Sequence, residues 1–287
     1  MAGEPTFTVR FWGVRGSIAC PGRETARYGG NTSCLEVLCG ERRLILDAGT
    51  GLRPLGDALA RQGGPLDGDI FLSHTHFDHI CGLPFFRPLF EAGNSFRIWA
   101  GHLAPDLSLR TVICGMMVAP LFPVPPEAFA AAIDYRDFTA GDTLTPGDGV
   151  TIRTAALKHP DGATGYRIEF AGRSLCYVTD LGHRPGRRDQ SVVAFVRGAD
   201  AMIYDSTFTD EEFPRFAAYG HSTWQEGVRI ADAAGVGRLV LFHHDPSHDD
   251  AFMDRIAADA EARRPGTLVA REGMELHPGC PAAGDAG

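Results

Sequence analysis

His74-Thr75-His76-Phe77-Asp78-His79, which closes the β-rich run 69–73, is the stretch from which the fold is read. His74 and His76 lie two apart, so in extended backbone their imidazoles project to the same side and can share one cation. Asp78 and His79 can then reach a second. A lone His reads as an ordinary core or surface residue, but four ligand-type residues within six positions are hard to explain as packing.

Two cations need ligands from elsewhere, and the ends of other β-runs offer them. His159 follows the run 152–157, Asp180 the run 175–179, and His243-His244 the run 239–242. A carboxylate such as Asp180 can bridge two ions while neutral imidazoles cap each side. Their shared placement just past a β-run is the stronger signal, because loops at one edge of a rigid sheet can converge on one cleft.

Working outward, β-rich runs recur at 7–11, 35–39, 44–47, 70–73, 96–100, 150–156, 166–170, 174–179, 202–205 and 239–242. Phe7, Val9 and Phe11 alternate with polar residues as in a half-buried strand. Leu44-Ile45-Leu46 and Leu239-Val240-Leu241 read instead as covered on both faces. Helical patterns fall at about 51–62, 189–197, 223–234 and 249–262. The third is the best marked: Thr223-Trp224-Gln225-Glu226 forms a capping box, Val228, Ile230, Ala231 and Ala234 supply an apolar face, and Gly235 suits the stop. Sheets with helices outside are the economical arrangement.

No internal repeat or low-complexity linker interrupts this pattern, so residues 1–277 are expected to form a single domain. Within it, 84–149 is rich in Pro and aromatics around Met116-Met117-Val118-Ala119-Pro120-Leu121-Phe122-Pro123 and is expected to be a lid, substrate wall or dimer-contact insertion, or else irregular core. The tail 278–287 is expected to be disordered.

The 287 residues carry 44% hydrophobic side chains, enough for a sizeable core. The 27 Lys and Arg against 36 Asp and Glu give a formal net charge of -9, which argues against long nucleic acid held through phosphate neutralisation. A small anion neutralised locally by metals is compatible with it. No signal peptide or membrane span is readable, so the cytoplasm is the expected location. Cys20, Cys34, Cys39, Cys81, Cys114, Cys176 and Cys280 include no Cys-x-x-Cys pair, and reduced, mostly buried thiols are expected.

The His74–His79 cluster with the later His, Asp and His resembles the metallo-β-lactamase superfamily over nearly the whole chain. The resemblance implies an α/β fold, the αββα sandwich, in which two mixed β-sheets pack face to face with helices outside and the metals lie at one sheet edge. It implies two divalent ions, zinc or manganese: the first on His74, His76 and His159, the second on Asp78, His79 and a late His, with Asp180 bridging. His243 is the expected late ligand, because it takes the place of the His that ends the matching strand in ribonuclease Z-like members. His244 is the alternative. Asp47, in Leu46-Asp47-Ala48-Gly49-Thr50, resembles the family's buried Asp that braces the metal loops.

Gly220-His221-Ser222-Thr223, which opens the capped helix, resembles the His-Ser/Met-Thr element of ribonuclease Z and related phosphodiesterases, and implies His221 as general acid. A His contributing only to a helix N-terminus is the plainer reading. The positive end of the helix would lower its pKa unless a carboxylate compensates. By the same resemblance that carboxylate is Asp205, where ribonuclease Z usually carries the longer Glu. Phe11-Trp12-Gly13-Val14-Arg15-Gly16-Ser17 and Tyr28-Gly29-Gly30-Asn31-Thr32-Ser33-Cys34 look like the opening of a bacterial cyclic-nucleotide phosphodiesterase-like subgroup; they either donate to a phosphate or shape two tight loops. His102, His183, His248 and His277 are expected in surface or supporting roles, with His183 a candidate border of the substrate.

The expected function is a dinuclear metal-dependent phosphodiesterase acting on a small phosphodiester, a 3′,5′-cyclic nucleotide, with Asp78, His221 and Asp205 as catalytic residues. The alternatives are a tRNA 3′ endonuclease like ribonuclease Z, a thioester or lactam hydrolase, and a non-catalytic metal- or ligand-sensing domain. The acidic balance and the absence of a readable Lys-rich, Gly-rich arm weigh against tRNA. A homodimer with no membrane partner is expected.

Overall fold

The computed structural model describes residues 5–279. Most of the expected disordered tail, and Cys280, lie outside the described residues. A first seven-stranded sheet has the order β14-β1-β2-β3-β4-β5-β6, with β1 (Phe7–Gly13), β2 (Cys34–Cys39), β3 (Arg42–Leu46), β4 (Asp67–Leu72), β5 (Ser95–Ala100), β6 (Ala132–Asp137) and β14 (Glu275–Leu276). A second has the order β13-β12-β11-β10-β9-β8-β7, with β7 (Thr143–Gly147), β8 (Val150–Leu157), β9 (Ala163–Phe170), β10 (Arg173–Val178), β11 (Ala201–Asp205), β12 (Arg238–Phe242) and β13 (Leu268–Val269). Both sheets are mixed. In the first, β3 to β6 run parallel while β1 pairs antiparallel with β2 and β14. In the second, β10 to β13 run parallel while β7, β8 and β9 form antiparallel pairs.

The period-2 alternation of the strands sorts their side chains between layers. Leu44, Leu46 and Phe71 join Tyr177, Val240 and Phe242 in a core between the sheets. Their chain neighbours point the opposite way: Ile45, Ile70 and Leu72 pack under Leu52, Leu55 and Leu59 of α1 (Leu52–Gln62), and Leu239 and Leu241 under Val228, Ile230 and Ala231 of α6 (Trp224–Ala234). This is the expected αββα sandwich. Truncating a buried Leu such as Leu44 to Ala would cost about 2–5 kcal/mol.

The remaining helices are α2 (Phe77–Ile80), α3 (Leu109–Met116), α4 (Gln190–Val196), α5 (Phe213–Phe216) and α7 (Asp250–Arg263). Half of the capping box on α6 forms: the Glu226 N–H donates to Thr223 Oγ1 at 3.1 Å, but the Glu226 carboxylate accepts from Arg229 Nε at 2.6 Å instead of from the Thr223 N–H; Gly235 stops the helix at φ 64°. The segment 84–149 is not separate from the sheets. It contains β5 and β6, which complete the first sheet, and β7, which borders the second; 84–94, 101–131 and 138–142 lie outside both. β6 and β7 escape a hydrophobic-pattern reading because they are exposed edge strands, and β7 carries Pro146, tolerated only where a ladder partner is missing. No helix among the described residues is long and apolar enough to cross a membrane.

Candidate metal centre

The residues singled out at strand ends meet at one edge of the sandwich. β4 delivers His74 and His76 on the loop after it, and Asp78 and His79 in the short α2. β8 leads to His159, β10 to Asp180, β11 ends at Asp205 and β12 leads to His243. The second-sheet strands share a direction, since β8 and β10 are both antiparallel to β9 and β11 and β12 follow β10 in parallel; their carboxyl ends therefore fall on one edge. Three turns from strand to site use left-handed backbone on non-glycine residues: Asp47 at φ 60°, Asp180 at φ 56° and His243 at φ 63°. Such conformations cost of order 1–3 kcal/mol each and persist where surrounding structure imposes them, here to turn a ligand-type side chain back over the edge.

The ring nitrogens that face away from the centre are occupied. His159 Nδ1 donates to the Gly220 carbonyl at 2.8 Å, His79 Nδ1 to Asp47 Oδ2 at 2.8 Å, and His243 Nδ1 lies 3.0 Å from Thr207 Oγ1. This leaves His159 Nε2 3.0 Å from His76 Nδ1, and His79 Nε2 3.3 Å from His243 Nε2. His74 Nε2 is buried and has no hydrogen-bond partner among the described residues. Asp180 stands between the groups. Its Oδ1 lies 3.8 Å from His74 Nε2 and 3.7 Å from His159 Nε2, and its Oδ2 lies 3.3 Å from His79 Nε2 and 3.4 Å from His243 Nε2.

Two sets could each hold a cation: His74, His76 and His159 with Asp180 Oδ1, and Asp78, His79 and His243 with Asp180 Oδ2. The fit rests on lone pairs. His159 must present a bare Nε2 because Nδ1 carries the proton given to Gly220, and it faces another imidazole nitrogen across 3.0 Å. A bare buried nitrogen is costly unless a donor hydrogen or a cation faces it, and His74 Nε2 has no donor among the described residues. The charges agree. Burial drives His74 well below its ordinary pKa, whereas the carboxylates of Asp78, Asp180 and Asp47 overcome the burial of His79 and hold it well above, so that a proton stands where a cation would.

Behind the ligands lies a brace. Asp47, fully buried, accepts from the Ser73 N–H at 2.7 Å, Ser73 Oγ at 2.9 Å, Tyr177 OH at 2.7 Å and His79 Nδ1. Asp47 was readable from the sequence, Tyr177 was not, because an inward Tyr in a central strand looks like any core aromatic. Asp205 Oδ1 accepts from the Thr207 N–H and hydroxyl at 3.1 and 2.8 Å, an Asp-x-Thr turn pattern that could have been recognised. Its Oδ2 accepts from the Leu181 N–H at 3.2 Å and from His221 Nδ1 at 3.1 Å. The shorter Asp thus makes the contact. Burial lowers the His221 pKa, but the charge and hydrogen bond of Asp205, with Asp180 and Asp78 beyond, outweigh it and raise the group to about 9.

His244 is turned out of the centre. Its Nε2 donates to the Ala270 carbonyl at 2.8 Å, and burial pushes it down to about 3. His102 hydrogen-bonds Thr75 Oγ1 at 3.0 Å, His248 pairs with Glu212 at 2.9 Å and His277 with Thr8 at 3.0 Å, while His183, stacked on Phe213, lines the cleft beside His159. Of the two readings of the N-terminal loops, Arg15 favours the structural one: it is buried and donates to the carbonyls of Gly29, Asp245 and His248. Gly16 is required by packing, since a Cβ there would lie 2.3 Å from His243 Nδ1.

Residues 42–244, most of the segment just described, match the sequence model of a family described as a beta-lactamase superfamily domain. The chain belongs to this superfamily. It is a metal-dependent hydrolase of that family. A ribonuclease Z from Bradyrhizobium sp. (strain ORS 278) is 26% identical, with 93% of this chain and 98% of the relative covered. Among solved structures, Zn(2+)-bound PqqB from Methylobacterium extorquens superposes on this superfamily member with a TM-score of 0.71 at 20% identity, covering 94% of this chain and 99% of that one. The short form of human tRNase Z superposes with a TM-score of 0.65 at 19% identity, over 95% and 100% of the two chains. At these identities the superpositions speak for the fold.

Proposed function

We propose that the chain is a dinuclear metal-dependent phosphodiesterase of the ribonuclease Z kind, cleaving a phosphodiester of RNA. His74, His76 and His159 would hold one divalent ion, Asp78, His79 and His243 the other, and Asp180 both. A nitrogen-rich set with carboxylates suits zinc, and manganese is compatible. Bound there, the ions would neutralise phosphoryl oxygens and acidify a water.

The observation that carries the reading is the His221–Asp205 pair. Asp205 holds His221 Nδ1 at 3.1 Å, so Nε2–H remains as the donor for a departing alkoxide. His221 Nδ1 also lies 3.6 Å from Asp180, which keeps the imidazolium beside the shared carboxylate and within reach of a phosphate bound there. A lactam or thioester hydrolase would leave this element without a task. Asp205 would act as a positioning residue and Asp78 as a ligand that its bond from the Ser17 N–H, 2.7 Å long, keeps aimed.

The likeness to ribonuclease Z over 93% of the chain supports RNA as substrate over the expected cyclic nucleotide. The small-nucleotide reading keeps one observation in its favour, the net charge of -9. The deciding experiment incubates metal-loaded protein with a precursor tRNA carrying a 3′ trailer, with bis-p-nitrophenyl phosphate and with cyclic mononucleotides. Cleavage of the RNA with little turnover of cyclic nucleotides is the expected result; silence on every phosphodiester would sink the proposal.

A further inference from the structure

The loop between β10 and α4 carries Arg184, Arg187 and Arg188, all exposed, and with Lys158 they line a cleft of about 840 Å³ that also includes His159 and Gly220. The cleft therefore opens beside the candidate centre. Lys158 is paired with Asp189, and Arg42, Arg97 and Arg229 likewise have carboxylate partners. Arg184, Arg187 and Arg188 have none among the described residues. In a chain with a net charge of -9, three uncompensated cations on one loop run against the overall balance.

The loop is also shaped. The Arg187 N–H donates to the Arg184 carbonyl at 3.1 Å, and Pro185 and Gly186 occupy the two corners, Gly186 at φ 72°. Pro followed by a left-handed Gly is the chemistry of a tight type II turn, which sets Arg184 and Arg187 opposite each other at little entropic cost. Repelling cations held together in a preformed turn create a local positive potential that an anion relieves.

We propose that the 184–188 turn binds backbone phosphates of a single-stranded RNA flanking the scissile bond. The inference rests on the phosphodiesterase reading of the neighbouring centre and narrows it: the substrate carries several phosphates. A cyclic mononucleotide has a single phosphate, which the centre itself would take.

The test uses the full-length, metal-loaded protein. Anisotropy of a fluorescein-labelled short single-stranded RNA is followed across KCl concentrations for the wild type, for R184A/R187A/R188A, and for R61A/R110A/R255A, which removes equal charge at exposed positions elsewhere. The turn variant should lose at least about tenfold in affinity, and its salt slope should be shallower by about 2, because each phosphate contact on a single strand contributes about 0.7. The control should stay within about twofold of wild type. Unchanged affinity in the turn variant, or an equal loss in the control, overturns the proposal. So does displacement of the RNA by ATP as readily as by unlabelled RNA at equal phosphate concentration, which would assign the turn to nucleoside polyphosphates. Wild-type turnover of bis-p-nitrophenyl phosphate, measured in parallel, tests the centre alone. Binding is read without turnover, so failure of the turn and failure of the centre are told apart.

Discussion

Asp205 Oδ2 lies 3.1 Å from His221 Nδ1, while Asp205 Oδ1 is held by both donors of Thr207. The carboxylate is fixed on one side and orients the imidazole on the other, as a positioning residue for a proton donor should. Replacing His221 with Ala should lower kcat by about a hundred-fold to ten-thousand-fold on RNA, whose leaving alkoxide needs a proton. The loss should be far smaller with p-nitrophenolate as leaving group. Comparing the two substrates checks the assignment; equal losses would make His221 a structural residue.

The same pair sets a pH dependence. An acid works only while protonated, so activity is present below the His221 pKa and lost as pH rises through it. Without cations that value is about 9, raised because the carboxylates outweigh burial; bound cations draw it down, so the alkaline limb belongs below 9. Asp205→Asn removes the leading stabilising charge, and the limb should move to lower pH in a kcat profile. A limb that stays in place would detach Asp205 from the acid.

Chelation offers a test without turnover. Three apolar clusters hold the sandwich, so the metal-free protein should remain folded, but the crowded imidazoles and carboxylates should make it less stable. Saturation at about a thousand times Kd adds about 4 kcal/mol, so zinc or manganese should raise Tm by several degrees in differential scanning calorimetry. An unshifted melt would contradict the metal assignment.

His243 and His244 adjoin in sequence and separate in function. His243→Ala should reduce bound metal per chain, as read by elemental analysis, whereas His244→Ala should leave it unchanged and lower stability by about 1–3 kcal/mol through the abandoned Ala270 carbonyl. Reversal of the two metal contents would exchange their roles.

Gly16→Ala supplies a subtler probe. A methyl 2.3 Å from the His243 ring must displace it, so metal affinity should fall about 10–100-fold while the fold persists. Unaltered affinity in a competition titration would mean the loop yields instead.

Local chemistry was enough to place much of this architecture. The four expected helices appear as Leu52–Gln62, Gln190–Val196, Trp224–Ala234 and Asp250–Arg263, close to the positions that capping and apolar periodicity indicate. Leu44-Ile45-Leu46 and Leu239-Val240-Leu241 were readable as two-faced strands, because burial on both sides leaves no polar alternation. His74, His76, Asp78 and His79 could be read as one cluster because they are contiguous in the chain.

Other features depend on atoms brought together from distant segments. Whether His243 or His244 faces the cluster turns on one left-handed residue at φ 63° and on which ring nitrogen finds Thr207 or Ala270. Tyr177 on Asp47, Gly16 under His243 and the unpaired Arg184, Arg187 and Arg188 beside His159 are likewise properties of packing, invisible to spacing. Periodicity and residue chemistry are local, so the layers and the ligand-type residues are legible in the chain itself. Which nitrogen points inward and which charges go unanswered follow from packing, since hydrogen-bond partners and counter-charges come from elsewhere in the chain.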